Sequence, residues 1–165
     1  MTIEVSTAPC IEVRPADEVD IPALVDLYRK LEAEMIELEE MWPLADALAE
    51  PVAASFEAEL ADPDSIVIVG ELEGVPLGFI IGRLEGLLPQ GGNEKIGSIR
   101  FVFVEQGARE ISIGERMLAE LLIQLRARGA RRFDAHVLPG HRLVKNFFES
   151  GGFSARKIIM HNDGE

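Results

Sequence analysis

The chain has 165 residues, 47% hydrophobic and 27% charged, with a formal net charge of −13. This length suits one domain with a sizeable core, and the composition is typical of a folded protein rather than a disordered one. The acidic balance argues against a general nucleic-acid binder, and no apolar run reaches the roughly 20 residues that span a bilayer.

The N-terminal sequence and the cysteine content narrow the possible classes of protein further. The N-terminus lacks the basic and apolar pattern of a secretory signal. The single cysteine, Cys10, argues against an internal disulfide or a thiolate zinc site. We therefore predict one cytoplasmic domain over 1–165 with a loose segment at 1–10, no metal, and no nucleic-acid or membrane partner.

Charge is divided unevenly along the chain. Residues 1–95 contain 5 Lys/Arg and 21 Asp/Glu, whereas residues 96–165 contain 11 and 8. Such asymmetry favours an anionic ligand on the C-terminal half and a cationic one on the N-terminal half. An acidic, solvated helix face explains the same asymmetry, and the sequence leaves both interpretations open.

The first half predicts a strand, two helices and a hairpin. Residues 11–14 form the strand, and Asp17 is placed to cap the next helix. That helix carries apolar residues at spacings of three and four from Ile21 to Leu38. A second helix is predicted to start near Pro51. The hairpin strands are predicted at Ile66–Val69 and Val75–Ile81.

The second half predicts strands that alternate with helices. The polar turn Glu105–Ser112 leads into a long helix that ends at Gly129, and a short helix covers His141–Ser150. Strands are predicted at Ile96–Val104, Arg132–Val137 and Phe153–Met160. The order indicates an α/β domain with a mixed sheet. The apolar residues Ile158, Ile159 and Met160 favour a homodimer contact.

The junction between the strand at 96–104 and the long helix has the features of an anion site. The first N–H groups of a helix have no partner within it, and its dipole favours negative charge there. The turn reads Arg109-Glu110-Ile111-Ser112-Ile113-Gly114. Its small residues, Ser112 and Gly114, allow a phosphate to approach the backbone.

This run resembles the acetyl-CoA motif of the GNAT superfamily of N-acetyltransferases, Gln/Arg-x-x-Gly-x-Gly/Ala, with Ser112 in place of the first glycine. Residues 146–153 (NFFESGGF) are similar to the second signature of that family. Residues 11–31 resemble its first strand and helix. The resemblance therefore extends over nearly the whole chain.

The resemblance implies a mixed, mostly antiparallel central sheet flanked by helices, with a splayed strand pair at the cofactor site. It places the pantetheine arm of acetyl-CoA on Val102, Phe103 and Val104, and the pyrophosphate on the amides of Arg109, Glu110, Ile111, Ser112, Ile113 and Gly114. Asn146 would contact the cofactor. An amide of the splayed strand would stabilise the oxyanion that forms from the thioester carbonyl.

The implied activity is direct transfer of acetyl from acetyl-CoA to a primary amine, and the alternative is a non-catalytic CoA-binding or regulatory module. Two residues depart from the family pattern. Phe148 stands where many members have a tyrosine that protonates the leaving thiolate, and phenylalanine has no proton to give. His141 stands where asparagine is common.

Two residues are candidate general bases for the amine. Glu105 ends the splayed strand, and His136 lies on the strand across the splay with an imidazole that titrates near neutrality. A solvated turn carboxylate and a histidine hydrogen-bonded on the sheet surface are their ordinary alternatives. His141 and His161 are expected at the surface. Cys10 has no basic neighbour and is not expected to act as a nucleophile.

The acceptor is expected to be a small-molecule or peptide amine with positive charge. The glutamates between Glu32 and Glu40 are placed to attract it while the basic half holds the anionic cofactor. Trp42 either stacks on this acceptor or packs as a core or capping residue.

Overall fold

The computed structural model describes residues 8–38, 47–86, 90, 92–162 and 164. Trp42 and the glutamates at 39 and 40 lie outside the described residues. The strands are β1 (Ile11–Pro15), β2 (Ser65–Leu72), β3 (Val75–Gly86), β4 (Lys95–Val104) and β5 (Ala130–Ala135). The helices are α1 (Ile21–Leu38), α2 (Val52–Ala61), α3 (Ile113–Ala127) and α4 (Arg142–Ser150), with 3-10 helices at Glu18–Asp20 and Gln106–Ile111.

The five strands form one sheet in the order β1-β2-β3-β4-β5. The first three pairings are antiparallel, and β5 runs parallel to β4. A parallel neighbour needs a crossover connection, which α3 supplies between β4 and β5. The mixed, mostly antiparallel sheet expected from the sequence is therefore confirmed.

Helices cover both faces of the sheet. On one face, Met117, Leu121 and Leu125 of α3 pack on a cluster that includes Ile68 and Ile80. The opposite face carries a second cluster. In it, side chains of α1 and α2 pack on Val67 of β2 and on Phe79 and Ile81 of β3, which adjoin the strand residues of the first cluster. Because successive residues of a strand point to opposite faces, the covered centres of both strands must be apolar on both faces, and Ile66–Val69 and Phe79–Ile81 are.

Glycine lets α3 approach the sheet closely. A Cβ atom at Gly78 would lie 2.8 Å from the carbonyl oxygen of Phe103 and 2.9 Å from Cε of Met117. The methionine end could move aside, but the backbone oxygen of Phe103 could not, so a side chain at Gly78 is excluded. The close approach brings the beginning of α3 against β4, which is where the functional site forms.

Arg14 connects β1 to the rest of the fold. Its guanidinium donates two 2.8 Å hydrogen bonds to the carboxylate of Asp20 and one of 2.6 Å to Glu71. Both carboxylates are buried. The arginine holds the pKa of Asp20 below its usual value, mainly through these hydrogen bonds.

The final predicted strand is wrong. Residues 153–160 form no strand, and Ile158, Ile159 and Met160 are exposed. The segment contacts β5 through the ion pair of Arg156 with Asp134 rather than through a strand ladder. An apolar run predicts a strand only if a partner edge pairs with it, which the sequence does not report. The homodimer expected from these residues stays a prediction.

Smaller differences concern the ends of elements. β5 starts two residues earlier than predicted and ends at Ala135. Asp17 caps the 3-10 helix before α1, where its side chain accepts a hydrogen bond from the N–H of Val19. The predicted polar turn before α3 is largely the 3-10 helix Gln106–Ile111.

Among the helices that the structure describes, none combines the length and the apolar character that crossing a membrane requires.

Candidate active site

The parallel strands β4 and β5 separate halfway along β4. Their pairing runs from Lys95 opposite Ala130 to Ile99 opposite Ala135. The N–H of His136 then donates to the carbonyl oxygen of Ile99 at 3.0 Å. Beyond this bond, β4 continues to Val104 along β3 alone. The splayed pair expected at the cofactor site is therefore present.

The separation leaves one backbone edge of β4 open. The N–H of Glu105 donates to the carbonyl oxygen of Leu77 on the β3 side. Backbone groups of successive strand residues alternate between the two edges, so those of Val104 and Val102 face the open side. The carbonyl oxygen of Val104 accepts a 2.8 Å hydrogen bond from Nε of Arg109. The N–H of Val102 is thus placed as a donor toward the cleft.

A cleft of about 250 Å³ occupies the space where the strands separate. Its walls come from β4, the start of α3, α4 and the second half of α1. Six of the residues that the family resemblance assigned to the cofactor line this cleft: Val102, Phe103, Val104, Arg109, Gly114 and Asn146. The structure therefore brings together residues from three separate parts of the sequence.

Ser112, directly before α3, has an unusual backbone conformation. Its φ of 66° lies in the left-handed region, which explains why a glycine suits this position of the motif. Ser112 makes no side-chain capping hydrogen bond to the helix. The first amides of α3 consequently keep their donors for an anion, as the resemblance implies for the pyrophosphate. Ile113 is buried in the core, so it contributes only its backbone there.

Gly114 places no side-chain atoms of its own in the cleft. A Cβ atom built there would stand 3.1 Å from Cε2 of Phe147 and 3.6 Å from Cγ2 of Val104. Such an atom would partly fill the gap between β4 and α4. The space, the open strand edge and the uncapped helix together fit the pantetheine and pyrophosphate of acetyl-CoA.

Arg109 is engaged by the protein itself. Besides its bond to Val104, it donates from Nη2 to the carboxylate of Glu34 at 2.6 Å. Its guanidinium also lies 5.6 Å from the ring centroid of Phe103. Arg109 therefore has a structural role in the cleft wall besides contributing positive charge. Through Glu34, α1 also takes part in the site.

The two predicted bases have other contacts. The carboxylate of Glu105 pairs with the ammonium of Lys30 on α1. Nε2 of His136 lies 2.9 Å from Oγ of the buried Ser98. Neither side chain is among those that line the cleft. The catalytic roles of Glu105 and His136 stay predictions, as do the contacts of Glu110 and Ile111 with the cofactor.

His141 is not at the surface, contrary to expectation. Its side chain is 9% exposed, and it lines the cleft beside Glu34. Nε2 lies 3.4 Å from Oε1 of Glu34. Burial lowers the pKa of His141 below its ordinary value, and the neighbouring carboxylate opposes this only in part. The sequence placed His141 at the beginning of an amphipathic helix but did not show which element would cover it.

Phe148 is a core residue. It is 3% exposed and packs edge-on against Phe147 and Phe153. Phe147, its neighbour, lines the cleft instead. At the position where the family often has a tyrosine, this chain therefore has a phenylalanine that packs in the core.

Comparison with known proteins agrees with this geometry. A model of the acetyltransferase (GNAT) family matches residues 24–153. The chain belongs to the GNAT acetyltransferase family. As a member it is an N-acetyltransferase with acetyl-CoA as its cosubstrate, and the matched residues include every wall of the cleft. No curated protein matches the GNAT chain significantly.

Solved structures resemble the GNAT chain in fold. The aminoglycoside N-acetyltransferase AAC(6')-Iy in complex with CoA has a TM-score of 0.75 at 15% identity, covering 97% of this chain and 99% of that one. A tetramutant of the BH1408 protein from Bacillus halodurans has a TM-score of 0.78 at 19% identity, with 92% and 98% coverage. The aminoglycoside acetyltransferase meta-AAC0020 from an uncultured soil metagenomic sample, in complex with trehalose, has a TM-score of 0.71 at 16% identity, with 92% and 93% coverage.

Proposed function

We propose that this GNAT protein transfers acetyl directly from acetyl-CoA to a primary amine of a small, positively charged molecule. The observation that carries the proposal is the cleft beside the open edge of β4, whose walls combine that edge with Gly114 and Asn146. A thioester laid along this edge has the N–H of Val102 beside its carbonyl oxygen. Such a donor stabilises the negative charge that develops on that oxygen during attack.

The reaction needs no covalent enzyme intermediate. The amine nitrogen attacks the thioester carbonyl carbon, the bond from carbon to sulfur breaks, and the amine proton ends on the sulfur of CoA. Holding amine and thioester in one cleft makes this step effectively unimolecular. In the proposed complex, the backbone of β4 and α3 positions the thioester, and α1 borders the acceptor.

Charge supports a cationic acceptor. Glu34 and Glu115 line the cleft, and α1 carries further glutamates toward its end. Part of this acidity is neutralised within the protein, because Glu32 pairs with Arg29 and Glu34 with Arg109. The attraction for an amine is therefore expected to come from the remaining net negative field of the N-terminal half.

Small-molecule acceptors are favoured by the solved relatives. One structure of AAC(6')-Iy holds a bisubstrate analogue that joins CoA to monomethyl-acetylneamine, and one of meta-AAC0020 holds sisomicin. These bound molecules are ligands of those two proteins, which are 15% and 16% identical to this chain. They support a small amine over a peptide as the first acceptor to test.

The test is release of free thiol from acetyl-CoA with a panel of acceptors. The panel contains polyamines, an aminoglycoside, a lysine peptide and a monoamine with no second charge. We expect turnover with cationic small amines, and kcat/KM for these to fall between about 0.1 M and 1 M salt as screening shortens from about 10 Å to about 3 Å. The monoamine should depend less on salt.

Two outcomes would contradict the proposal in different ways. Binding of CoA without thiol release from any amine would favour the non-catalytic CoA-binding module. Turnover of polyamines that ignores salt would retain the transferase and remove the electrostatic attraction of its acceptor. Calorimetry with CoA alone separates binding from turnover.

A further inference from the structure

His141 combines burial in the cleft wall with a ring nitrogen that has no good partner. Its side chain is 9% exposed and lies among the residues that line the cleft. Within the described part of the chain, Nε2 makes no hydrogen bond. The carboxylate of Glu34 approaches to 3.4 Å without the alignment of a hydrogen bond. Such atoms are rare in folded proteins, and a catalytic role is one of the explanations for them.

We propose that His141 is the general base of the acetyl transfer and that Glu34 positions it and stabilises its protonated form. The inference rests on the proposed function and names the group that handles the proton. It assigns a role to a side chain that the sequence placed at the surface. His141 is the proposed catalytic residue, and Glu34 acts through it.

The surroundings suit a base that works near neutral pH. Burial disfavours the imidazolium and so favours the neutral imidazole of His141, which is the form that accepts a proton. Glu34 of α1 favours the charged form, and Arg109 disfavours it. Glu115 of α3 lines the same cleft, while Lys145 of α4 pairs with Glu149 at the surface. The opposing effects leave an imidazole that accepts a proton and then gives it up.

The proton balance closes on His141 alone. As the amine nitrogen bonds to the carbonyl carbon, the imidazole of His141 takes the proton from that nitrogen. When the bond from carbon to sulfur breaks, the electron pair goes to sulfur, which takes the proton from the imidazolium and leaves as the thiol of CoA. His141 is neutral again. Because His141 supplies the proton to sulfur, the reaction needs no hydroxyl at Phe148, which is buried in the core.

The other candidates are less suited to this role. The carboxylate of Glu105 is paired with Lys30, and Nε2 of His136 faces Ser98. Both side chains lie outside the cleft lining. His141 is the histidine that shares a wall with the open edge of β4.

The experiment compares wild type with His141→Asn, Glu34→Gln and the matched control His161→Asn, which makes the same change at an exposed histidine. Each protein is titrated with CoA by calorimetry, and kcat/KM for one amine is measured across pH. Because the amine titrates identically in every assay, a difference between profiles belongs to the enzyme.

We expect His141→Asn to bind CoA within about 3-fold of wild type and to lose about 100-fold or more in kcat, the usual contribution of a general base. Its profile should lack the fall in rate at acidic pH that wild type shows as His141 protonates. Glu34→Gln should move that fall to lower pH, because the carboxylate that favours imidazolium is gone. His161→Asn should match wild type.

The base assignment is overturned if His141→Asn keeps kcat within about 3-fold, or loses rate uniformly with the acidic fall still in place. Should that variant not fold, Glu34→Gln decides, because an unmoved profile contradicts the proposal. Binding of CoA and acetylation by wild type report on the proposed function separately. Failure of the base therefore remains distinct from failure of the transferase.

Discussion

The guanidinium of Arg109 and the carboxylate of Glu34 meet at 2.6 Å and join α1 to the 3-10 helix that precedes α3. The same guanidinium donates from Nε to the carbonyl oxygen of Val104 at the end of β4. One side chain thus connects three elements at the cleft. The contact also sets how close α1 lies to the open edge of β4.

Replacing Arg109 by alanine should destabilise the protein. The change leaves the half-buried Glu34 carboxylate and the Val104 carbonyl without their donor, and an unpaired charge of this kind costs about 2 kcal/mol. Urea unfolding measures the loss. Arg29→Ala is the matched control, since Arg29 pairs with Glu50 at the surface, where such a pair contributes little. An equal loss of unfolding free energy at the two positions would mean that the buried ion pair stabilises the protein no more than the exposed one.

Stability at acidic pH should depend on Asp20. Arg14 lowers the pKa of Asp20 in the folded state, so the folded protein takes up this proton less readily than the unfolded chain. The resulting stabilisation is complete above the unfolded value near 3.8 and is lost as pH falls through the lower folded value. Asp20→Asn should therefore cost about 2 kcal/mol at neutral pH, and its difference from wild type should shrink in acid.

Chemical unfolding of Asp20→Asn across pH checks this expectation. The matched control is Asp26→Asn, because Asp26 is exposed on α1. A difference from wild type that stays constant down to strongly acidic pH would show that the cost arises from packing rather than from the ionised pair.

A large side chain at Gly114 should prevent CoA from binding. The Cβ atom of any residue there already approaches the ring of Phe147 to 3.1 Å, and further atoms would enter the cleft. Gly114→Leu should therefore lose the thermal stabilisation that a tight ligand confers, about 2.7 kcal/mol at 100 times its dissociation constant. Differential scanning fluorimetry with and without CoA measures the effect.

Gly86→Leu provides the control for this substitution. A Cβ atom at Gly86 meets no described atom within 4 Å, so the same change there should keep the full response to CoA. Melting temperatures without ligand separate a blocked cleft from overpacking, which costs about 1–3 kcal/mol. A normal CoA response in a folded Gly114→Leu protein would move the cofactor away from α3.

Local patterns predicted most elements correctly. The spacing of Leu24, Leu31 and Met35 predicted α1, and alternation of Ile99, Phe101 and Phe103 predicted β4, because these periods are properties of a single helix or strand. The run from Arg109 to Gly114 predicted the beginning of α3 in the same way. Six of the residues that the family resemblance assigned to the cofactor line the cleft.

Local patterns failed where a partner decides the outcome. Residues 158–160 are apolar enough for a strand, but they have no strand partner in the described part of the chain. His141 looked like a surface residue because nothing in its own helix covers it. Glu34, which is distant in sequence, lies against its ring, and Arg109 in turn pairs with Glu34.

By itself the sequence determined the order of helices and strands as far as α4, the apolar faces and the glycine-containing turn before α3, since each depends on side chains a few positions apart. Only the tertiary structure decided that β4 and β5 part after Ile99, and that Glu34, Arg109 and His141 meet in the resulting gap. The physical reason is that burial and electrostatics depend on distance in space. Residues that stand far apart along the chain acquire their chemistry only when packing brings them within a few ångströms.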